Sequence, residues 1–272
     1  MTVAAQPPAL SEGDRVTDDL EVVAHLHRSR LLDVYDVHSD RRDCRCVAKV
    51  PRPDRNADAH ARERLLSEGR LLLALAHPHV VRAYELVEEP DPVLVLEALS
   101  GDTVGRALAR AAKPLSLHDL AHLGMHLCSA LHYLHGRGIV HLDLKPQNVV
   151  IDRGMAKLID LSIARPPGPI RAGTGSRRYM APEQARGDEV GPPADVWGAG
   201  CVLYEVATGQ RAFGAREDGY EQLERRPEPA ARLMPSLPRE VTTVIDAALD
   251  PDPLGRPTVE DVADTLDDAL PD

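Results

Sequence analysis

Short apolar stretches with a two-residue period dominate the first hundred residues of the chain. Between Leu20 and Val50 they predict three strands, with a hairpin turn in the polar run at residues 39–43. Two further strands are predicted at about residues 80–87 and 93–96. Between the two groups lies a predicted helix, at residues 59–76, which His77-Pro78 ends. The first part is therefore expected to be rich in strands, with one helix.

The predicted helix carries an acidic residue on its apolar stripe. Glu68 follows Leu65 and precedes Leu72 and Leu75 at helical spacing. A carboxylate that is buried needs a partner. One interpretation is a side chain that reaches solvent at the edge of the stripe. The other is an ion pair with a strand lysine, for which Lys49 is the candidate.

Beyond a polar connector at residues 97–102, helical patterns replace strand patterns. Leucines from Leu120 to Leu134 predict a long amphipathic helix that ends at Gly136 and Gly138. The other predicted elements are a hairpin, a buried helix and two terminal helices, at residues 149–159, 193–208, 238–249 and 259–270. The predicted fold class is α+β, with a small antiparallel sheet in the first part and a larger helical second part. A cleft between the parts is expected to hold the ligand.

Composition then excludes several kinds of partner. A net charge of −11 argues against nucleic acid, because phosphate backbones attract basic surfaces. No apolar run approaches the length of a membrane span. The polar lead at residues 1–17 is not a signal peptide and is expected to be disordered or loosely attached. The four cysteines follow no metal-binding pattern. We expect a cytoplasmic protein with neither a membrane nor a nucleic-acid partner.

The densest candidate chemistry is the run His141-Leu142-Asp143-Leu144-Lys145-Pro146-Gln147-Asn148. Asp143 and Lys145 can face one volume in an extended chain, because side chains there alternate. Asn148 follows closely, and Asp160 ends a later predicted strand. Two carboxylates and an asparagine suit Mg²⁺ with substrate phosphates, since Mg²⁺ prefers oxygen ligands. Phosphoryl transfer needs mainly positioning and charge neutralisation, so these groups fit that reaction.

In this order the residues resemble the motifs of the protein kinase family over about residues 20–270. The matching runs are Val47-Ala48-Lys49, the loop at 141–148, Leu158-Ile159-Asp160, Ala181-Pro182-Glu183, Asp195-Val196-Trp197-Gly198-Ala199-Gly200, and Arg256 before Pro257. Lys145-Pro146 is similar to serine/threonine kinases rather than tyrosine kinases. The run from Tyr179 to Gly187 is similar to bacterial members.

This resemblance implies a bilobal kinase fold at residues 18–272, with lobes at about 18–97 and 102–272. It implies ATP- and Mg²⁺-dependent phosphoryl transfer to a protein hydroxyl, with Asp143 as catalytic base and Lys145 neutralising the transferred phosphate. The implied nucleotide-binding residues are Lys49, Glu68, Ala48, Val34, Glu97, Leu99, Asn148 and Asp160, of which Asn148 and Asp160 would hold the metal. The implied activation-segment and structural residues are Thr174, Ser176, Glu183, Asp195 and Arg256.

The phosphate-binding hairpin departs from the family. Its glycines should fall at His27, Ser29 and Leu32, and no glycine occurs between Gly13 and Gly69. Because glycine lets backbone N–H groups approach phosphates without an intervening Cβ, we expect weakened nucleotide binding. The alternative function is a pseudokinase, an interaction module with weak or no catalysis. Two basic residues at the hairpin could supply charge to phosphates or simply face solvent: Arg28 and Arg30.

The activation segment departs as well. Leu142 stands where many kinases have an arginine that pairs with a phosphate on this segment. The segment at residues 163–180 is also short. We therefore expect activity that depends little on phosphorylation at Thr174. Ser176 matches the position that hydrogen-bonds the catalytic Asp and Lys. Two basic residues follow and face either substrate or solvent: Arg177 and Arg178.

Overall fold

The computed structural model describes residues 7–110, 114–216 and 219–271. The chain divides into two compact units, one at residues 1–77 and 81–99 and the other at residues 78–80 and 100–272. The division after Leu99 falls inside the polar connector predicted at residues 97–102. None of the helices described is long and apolar enough to cross a membrane.

A six-stranded antiparallel sheet forms most of the first unit. Its strands are β1 (Arg15–Thr17), β2 (Leu20–Arg28), β3 (Leu32–Ser39), β4 (Cys44–Pro51), β5 (Ala83–Val87) and β6 (Val93–Glu97), in the spatial order β1-β2-β3-β4-β6-β5. The fifth strand begins at Ala83 and not at Val80 as predicted. Val80 belongs to the second unit, where it forms an isolated bridge with Leu158.

The core of this unit follows from the alternation along the strands. In β3, Asp33, Tyr35, Val37 and Ser39 are buried, and the residues between them are more exposed. Fully burying a large apolar side chain contributes about 1.5–3 kcal/mol. The buried cluster comprises Leu20, Val22, Tyr35, Val37, Cys46, Ala48, Val93 and Val95.

The N-terminal lead is packed against the sheet from residue 7 onward, contrary to the prediction. The first strand, β1, pairs with β2 through Arg15 opposite Glu21. Before it, the N–H of Leu10 donates to the hydroxyl of Tyr35 at 3.0 Å, and Ala9, Leu10 and Val16 pack against the buried cluster. Residues 7–17 are therefore part of the first unit, and the expectation of a loose lead is wrong for them. Residues 1–6 lie outside the described range.

The helix of the first unit is α1 (Ala59–Leu73). Asp58 caps it, because its carboxylate accepts the N–H groups of His60 and Ala61. Its end comes before the predicted limit at residue 76. Glu68 is buried on the same stripe as Leu65 and Leu72, so the patterning located it correctly.

Helices form most of the second unit. They are α2 (Val104–Arg110), α3 (Leu117–His135), α4 (Pro182–Arg186), α5 (Pro192–Thr208), α6 (Ala230–Leu233), α7 (Arg239–Ala248) and α8 (Val259–Asp268). Short strands accompany them: β7 (Asp102–Thr103), β8 (Val149–Asp152), β9 (Met155–Leu158), β10 (Gly168–Pro169) and β11 (Glu189–Val190). The antiparallel-sheet unit and the helical unit confirm the predicted fold class.

The central helix, α5, is buried along its length from Ala194 to Thr208. This confirms the prediction from a segment that is apolar nearly all round. A Cβ on Gly198 would lie 2.9 Å from the Cβ of Leu144. The glycine therefore lets the loop at residues 141–148 pack directly against this helix.

Candidate active site

A carboxylate of α5 holds the start of the loop at residues 141–148. Asp195 accepts the backbone N–H groups of His141 and Leu142, both at 2.8 Å, and Nε2 of His135 lies 2.8 Å from the same carboxylate. Leu142 has a left-handed φ of 66° and is buried. Such a conformation costs a non-glycine residue on the order of 1–3 kcal/mol. The bonds to Asp195 stabilise this turn.

Asp143 lies at the centre of a hydrogen-bond network. Its Oδ2 accepts from Nζ of Lys145 at 2.6 Å and from Nδ2 of Asn148 at 3.2 Å. Its Oδ1 accepts the backbone N–H of Ser176 at 2.8 Å. Nζ of Lys145 also donates to the hydroxyl of Ser176 at 2.8 Å. The structure thus brings together four residues that the sequence had assigned to one site.

Asn148 and Asp160 supply the oxygen atoms that suit a magnesium ion. Nδ2 of Asn148 donates to the backbone oxygen of Asp143 at 2.9 Å, which directs its Oδ1 elsewhere. The N–H of Ile159 donates to the backbone oxygen of Asn148 at 3.0 Å, so the segment that carries Asp160 runs alongside it. Mg²⁺ is typically held by one or two such protein groups, with phosphates and water completing its coordination. This donor set fits magnesium.

A metal ion bound without a nucleotide would have few protein ligands. Within the described ranges, no group of three or more His, Cys, Asp or Glu side chains could hold a metal ion. A magnesium ion at Asn148 and Asp160 would therefore depend on phosphate oxygens for part of its coordination.

In the first unit, Lys49 and Glu68 form the ion pair predicted from the sequence. Nζ of Lys49 on β4 lies 2.6 Å from Oε1 of Glu68 on α1, and both residues are buried. Breaking a buried pair by removing one partner costs about 3–5 kcal/mol, because a charge is left uncompensated. The pair therefore fixes the position of the lysine ammonium.

Three predicted nucleotide contacts lie on neighbouring strands of the same sheet. Val34 on β3 is opposite Lys49, and Ala48 is fully buried on β4. Glu97 ends β6, where its N–H donates to the backbone oxygen of Arg82 at 2.9 Å. Leu99 follows at the end of the unit. Contacts of these residues with an adenine or ribose stay predictions.

The turn between β2 and β3 consists of Ser29, Arg30 and Leu31 and is closed by its own serine. Oγ of Ser29 accepts the N–H groups of Leu31 at 3.3 Å and Leu32 at 2.9 Å. The N–H of Ser29 donates to the backbone oxygen of Leu32 at 2.8 Å. A side chain within the turn therefore takes up two N–H groups of the kind that bind phosphates in glycine-rich loops.

Arg28, next to this turn, is used in an internal ion pair. Its guanidinium binds both carboxylate oxygens of Asp33 at 2.7 Å, and Nε2 of His25 lies 3.1 Å from Oδ1 of the same residue. Burial by itself would raise the pKa of Asp33, but the hydrogen bonds from Arg28 and His25 outweigh it and hold the pKa below its usual range. Arg30 is exposed at the tip.

The activation segment is held by two side chains of α4. Oε1 and Oε2 of Glu183 accept from the guanidinium of Arg256 at 2.7 and 2.8 Å. Nε2 of Gln184 donates to the backbone oxygens of Leu142 and Thr174, at 2.8 and 3.1 Å. The sequence reasoning missed Gln184. The sequence does offer one indication that Gln184 matters, because it directly follows Glu183 in the motif Ala181-Pro182-Glu183.

Comparison with known proteins agrees with this geometry. The family model described as "Protein kinase domain" matches residues 30–266. The chain therefore belongs to the protein kinase family. Members of this family generally use ATP and Mg²⁺.

Two curated relatives are named as serine/threonine-protein kinases. The serine/threonine-protein kinase PkaA of Streptomyces coelicolor is 35% identical over 225 residues, which cover 79% of this chain and 41% of PkaA. The serine/threonine-protein kinase PknB of Mycobacterium leprae is 31% identical over 267 residues, which cover 92% of this chain and 42% of PknB. The chain thus spans about two fifths of the length of these relatives.

Among solved structures, the crystal structure of the Mycobacterium tuberculosis PknI kinase domain is similar. Its TM-score is 0.76 at 25% sequence identity, and the match covers 96% of this chain and 99% of that one. The likeness therefore extends over nearly the whole kinase domain.

Proposed function

We propose that this protein is a serine/threonine protein kinase that transfers the γ-phosphate of ATP to a protein hydroxyl. The observation that carries the proposal is the network around Asp143, in which Lys145, Asn148 and Ser176 each donate to its carboxylate. A carboxylate that accepts three hydrogen bonds is held in one orientation. Phosphoryl transfer depends on such fixed positioning of the catalytic groups.

In this mechanism Asp143 accepts the proton of the substrate hydroxyl as that oxygen attacks the γ-phosphorus of ATP. The bond between this phosphorus and the β–γ bridging oxygen breaks, and ADP is the leaving group. Lys145, 2.6 Å from Asp143, places a positive charge beside the group in transfer and stabilises the charge that develops there. Ser176 binds both residues and keeps them together.

The nucleotide is assigned to the remaining predicted residues. Lys49, fixed by Glu68, would bind the α- and β-phosphates, and Val34, Ala48, Glu97 and Leu99 would line the nucleoside site. Asn148 and Asp160 would hold magnesium, which when bound neutralises phosphate charge. Ser29 already accepts two N–H groups of the β2–β3 turn. We therefore expect weaker ATP binding than in a kinase with a glycine-rich loop.

The proposed partners are a protein substrate and a nucleotide, and the proposed location is the cytoplasm. All four cysteines, Cys44, Cys46, Cys128 and Cys201, are free thiols. Free thiols suit a reducing compartment. The net charge of −11 disfavours nucleic acid as a partner.

A transfer assay tests the proposal. The protein is incubated with γ-labelled ATP, Mg²⁺ and a generic protein acceptor, beside the Asp143→Asn and Lys49→Ala variants. We expect label in the acceptor with the wild type only. Equal incorporation by all three proteins would contradict the proposal.

The glycine-free hairpin supports a second candidate, a pseudokinase. The transfer assay separates the two functions, and calorimetric titration with Mg-ATP shows whether the nucleotide binds. Measurable ATP binding together with transfer above the Asp143→Asn variant supports a kinase, and absence of transfer above that variant supports a pseudokinase.

A further inference from the structure

An open cavity with a basic lining lies beside the Asp143 network. Its volume is about 380 Å³. Four cationic side chains line it, and no carboxylate occurs among the described residues of the lining; the cations are Lys145, Arg177, Arg178 and Arg211. This local excess of positive charge contrasts with the net charge of −11 of the whole chain.

Two of these cations are already neutralised by carboxylates. Lys145 pairs with Asp143, as described above. Nε of Arg211 lies 3.3 Å from Oε1 of Glu205. Arg177 has a different internal role, since its Nη1 donates to the backbone oxygen of Arg216 at 2.8 Å and its guanidinium lies 5.3 Å from the centre of the Tyr220 ring.

Arg178 differs from the other three. Across the residues that the structure describes, its guanidinium has neither an ion pair nor a hydrogen bond, and its Nε is buried. A buried N–H without an acceptor costs about 1–3 kcal/mol. Arg178 also lines the adjoining cavity of about 700 Å³, together with Gln147 and Arg211. The side chain therefore faces open space on two sides, and no described residue supplies it with an anion.

The surroundings favour an acidic ligand over a basic one. Glu205, the carboxylate of the larger cavity, is occupied: its Oε2 accepts from the hydroxyl of Tyr179 at 2.7 Å and its Oε1 faces Arg211. Gln147, which lines both cavities, is neutral. Among the described residues that line the two cavities, a basic substrate side chain would find no available carboxylate, whereas an acidic one would find Arg178.

We propose that Arg178 binds an aspartate or glutamate side chain of the protein substrate, close to the hydroxyl that receives the phosphate. The inference rests on the proposed kinase function, and it adds the substrate class: serine or threonine next to acidic residues. The contact is a charge-assisted, bidentate pairing of guanidinium and carboxylate, for which arginine is geometrically suited.

Peptide kinetics test this inference. A threonine peptide is made in versions with glutamate, alanine or lysine at each neighbouring position in turn, and kcat/KM is measured for wild type, Arg178→Gln and Arg178→Glu. The matched control is Arg232→Gln, at an exposed arginine of α6 whose contact with Glu228 is a loose 3.7 Å. We expect the wild type and Arg232→Gln to favour glutamate over lysine by about tenfold at one position or more, as one hydrogen bond to a charged group would give.

Arg178→Gln should lose this preference, and Arg178→Glu should reverse it toward lysine. Misfolding would lower kcat/KM for every peptide and could not reverse the preference. A reversal therefore reports on the binding site and not on stability. No glutamate preference in the wild type, or an unchanged preference in Arg178→Glu, would overturn the inference.

A second readout separates this inference from the kinase function. Binding of the fluorescently labelled glutamate and lysine peptides is followed by anisotropy without ATP. If no protein transfers phosphate, the kinase proposal fails, and the anisotropy still decides. Tighter binding of the glutamate peptide by wild type than by Arg178→Glu supports the acidic site, and equal binding rejects it.

Discussion

Glu183 and Arg256 are 73 positions apart in sequence and form two parallel hydrogen bonds of 2.7 and 2.8 Å in a buried environment. Arg256 also donates to the backbone oxygens of Pro193 and Asp250, both at 2.8 Å. The guanidinium therefore ties the end of the activation segment to the start of α5 and to the loop after α7.

Removing either partner of this pair should destabilise the protein strongly. Arg256→Ala leaves the carboxylate of Glu183 buried and uncompensated, so we expect the free energy of unfolding to fall by about 3–5 kcal/mol. Urea denaturation measures it. The control is Glu88→Gln, which breaks the exposed pair with Arg70 and should change little. Equal effects of the two substitutions would refute a stabilising role for the buried pair.

Thr174→Ala should keep most of the transfer activity. Among the described residues, the hydroxyl of Thr174 donates to the backbone oxygen of Arg171 alone, at 2.7 Å, and Leu142, buried at 3% exposure, offers no charge to a phosphate. We expect activity within about twofold of wild type in the labelled-ATP assay. A loss of nearly all activity would show that phosphorylation of this residue is required.

Gln184→Ala should be more damaging than Thr174→Ala. Gln184 is 1% exposed, and its side chain binds the backbones of Leu142, Thr174 and Ala181. Its removal leaves buried backbone groups without partners, which costs about 1–3 kcal/mol. Thermal unfolding and the transfer assay on the same preparations should both report a loss. Wild-type behaviour in both would mean that water replaces the amide without cost.

Acidification should destabilise the protein through His126. Its Nδ1 accepts the N–H of Ala156 at 3.2 Å, and its ring stacks on His79 with centroids 4.1 Å apart. Burial, with smaller effects from His79 and His122, lowers the pKa of His126 to about 4 from its ordinary 6.5. The unfolded chain thus binds the proton more readily than the folded one. The stabilisation is fully present above about pH 6.5 and is lost as the pH falls toward 4.

The loss should be on the order of 1–3 kcal/mol. It is measured as the free energy of unfolding at several pH values across this window. His126→Asn should flatten the dependence, while His60→Asn, at an exposed histidine of α1, should leave it unchanged. Identical pH profiles for wild type and His126→Asn would rule His126 out as the source.

Restoring glycine in the β2–β3 turn should tighten ATP binding. In the variant His27→Gly/Ser29→Gly the N–H groups of Leu31 and Leu32 lose their internal acceptor and become available to phosphate. We expect affinity for Mg-ATP to rise by about threefold to tenfold in calorimetry. Ser29→Ala frees the same N–H groups but keeps a Cβ, so it separates the two effects. Unchanged affinity in the double variant would contradict the expected weakness of this loop.

Sequence patterning located most of the fold because local periodicity encodes it. The buried stripe that carries Glu68, the apolar α5 and the α+β division all follow from spacing that a short window contains. The loop at residues 141–148 was equally accessible, since its polar groups are consecutive. The meeting of Asp143 with Ser176 was inferred from the resemblance, because their separation in sequence carries no local signal.

Features that depend on distant partners were not predictable in this way. The lead at residues 7–17 is polar and contains proline, and its order comes from Tyr35, Val22 and Arg28, which belong to other strands. The role of Gln184 was equally unpredictable, because it depends on the backbone oxygens of Leu142 and Thr174, which are distant in sequence. Ser29 closes its turn through contacts that a search for glycines does not reveal.

The pairing of β1 with β2 has a consequence for how the protein is shortened. A fragment that starts at residue 18 would uncover the backbone of β2, where Val22 donates to Asp14 and accepts from Gly13 at 2.8 and 2.9 Å. An open strand edge is a template for pairing with other chains. Such a fragment should aggregate as it is concentrated, whereas one that begins at residue 7 keeps the edge covered and should stay monodisperse.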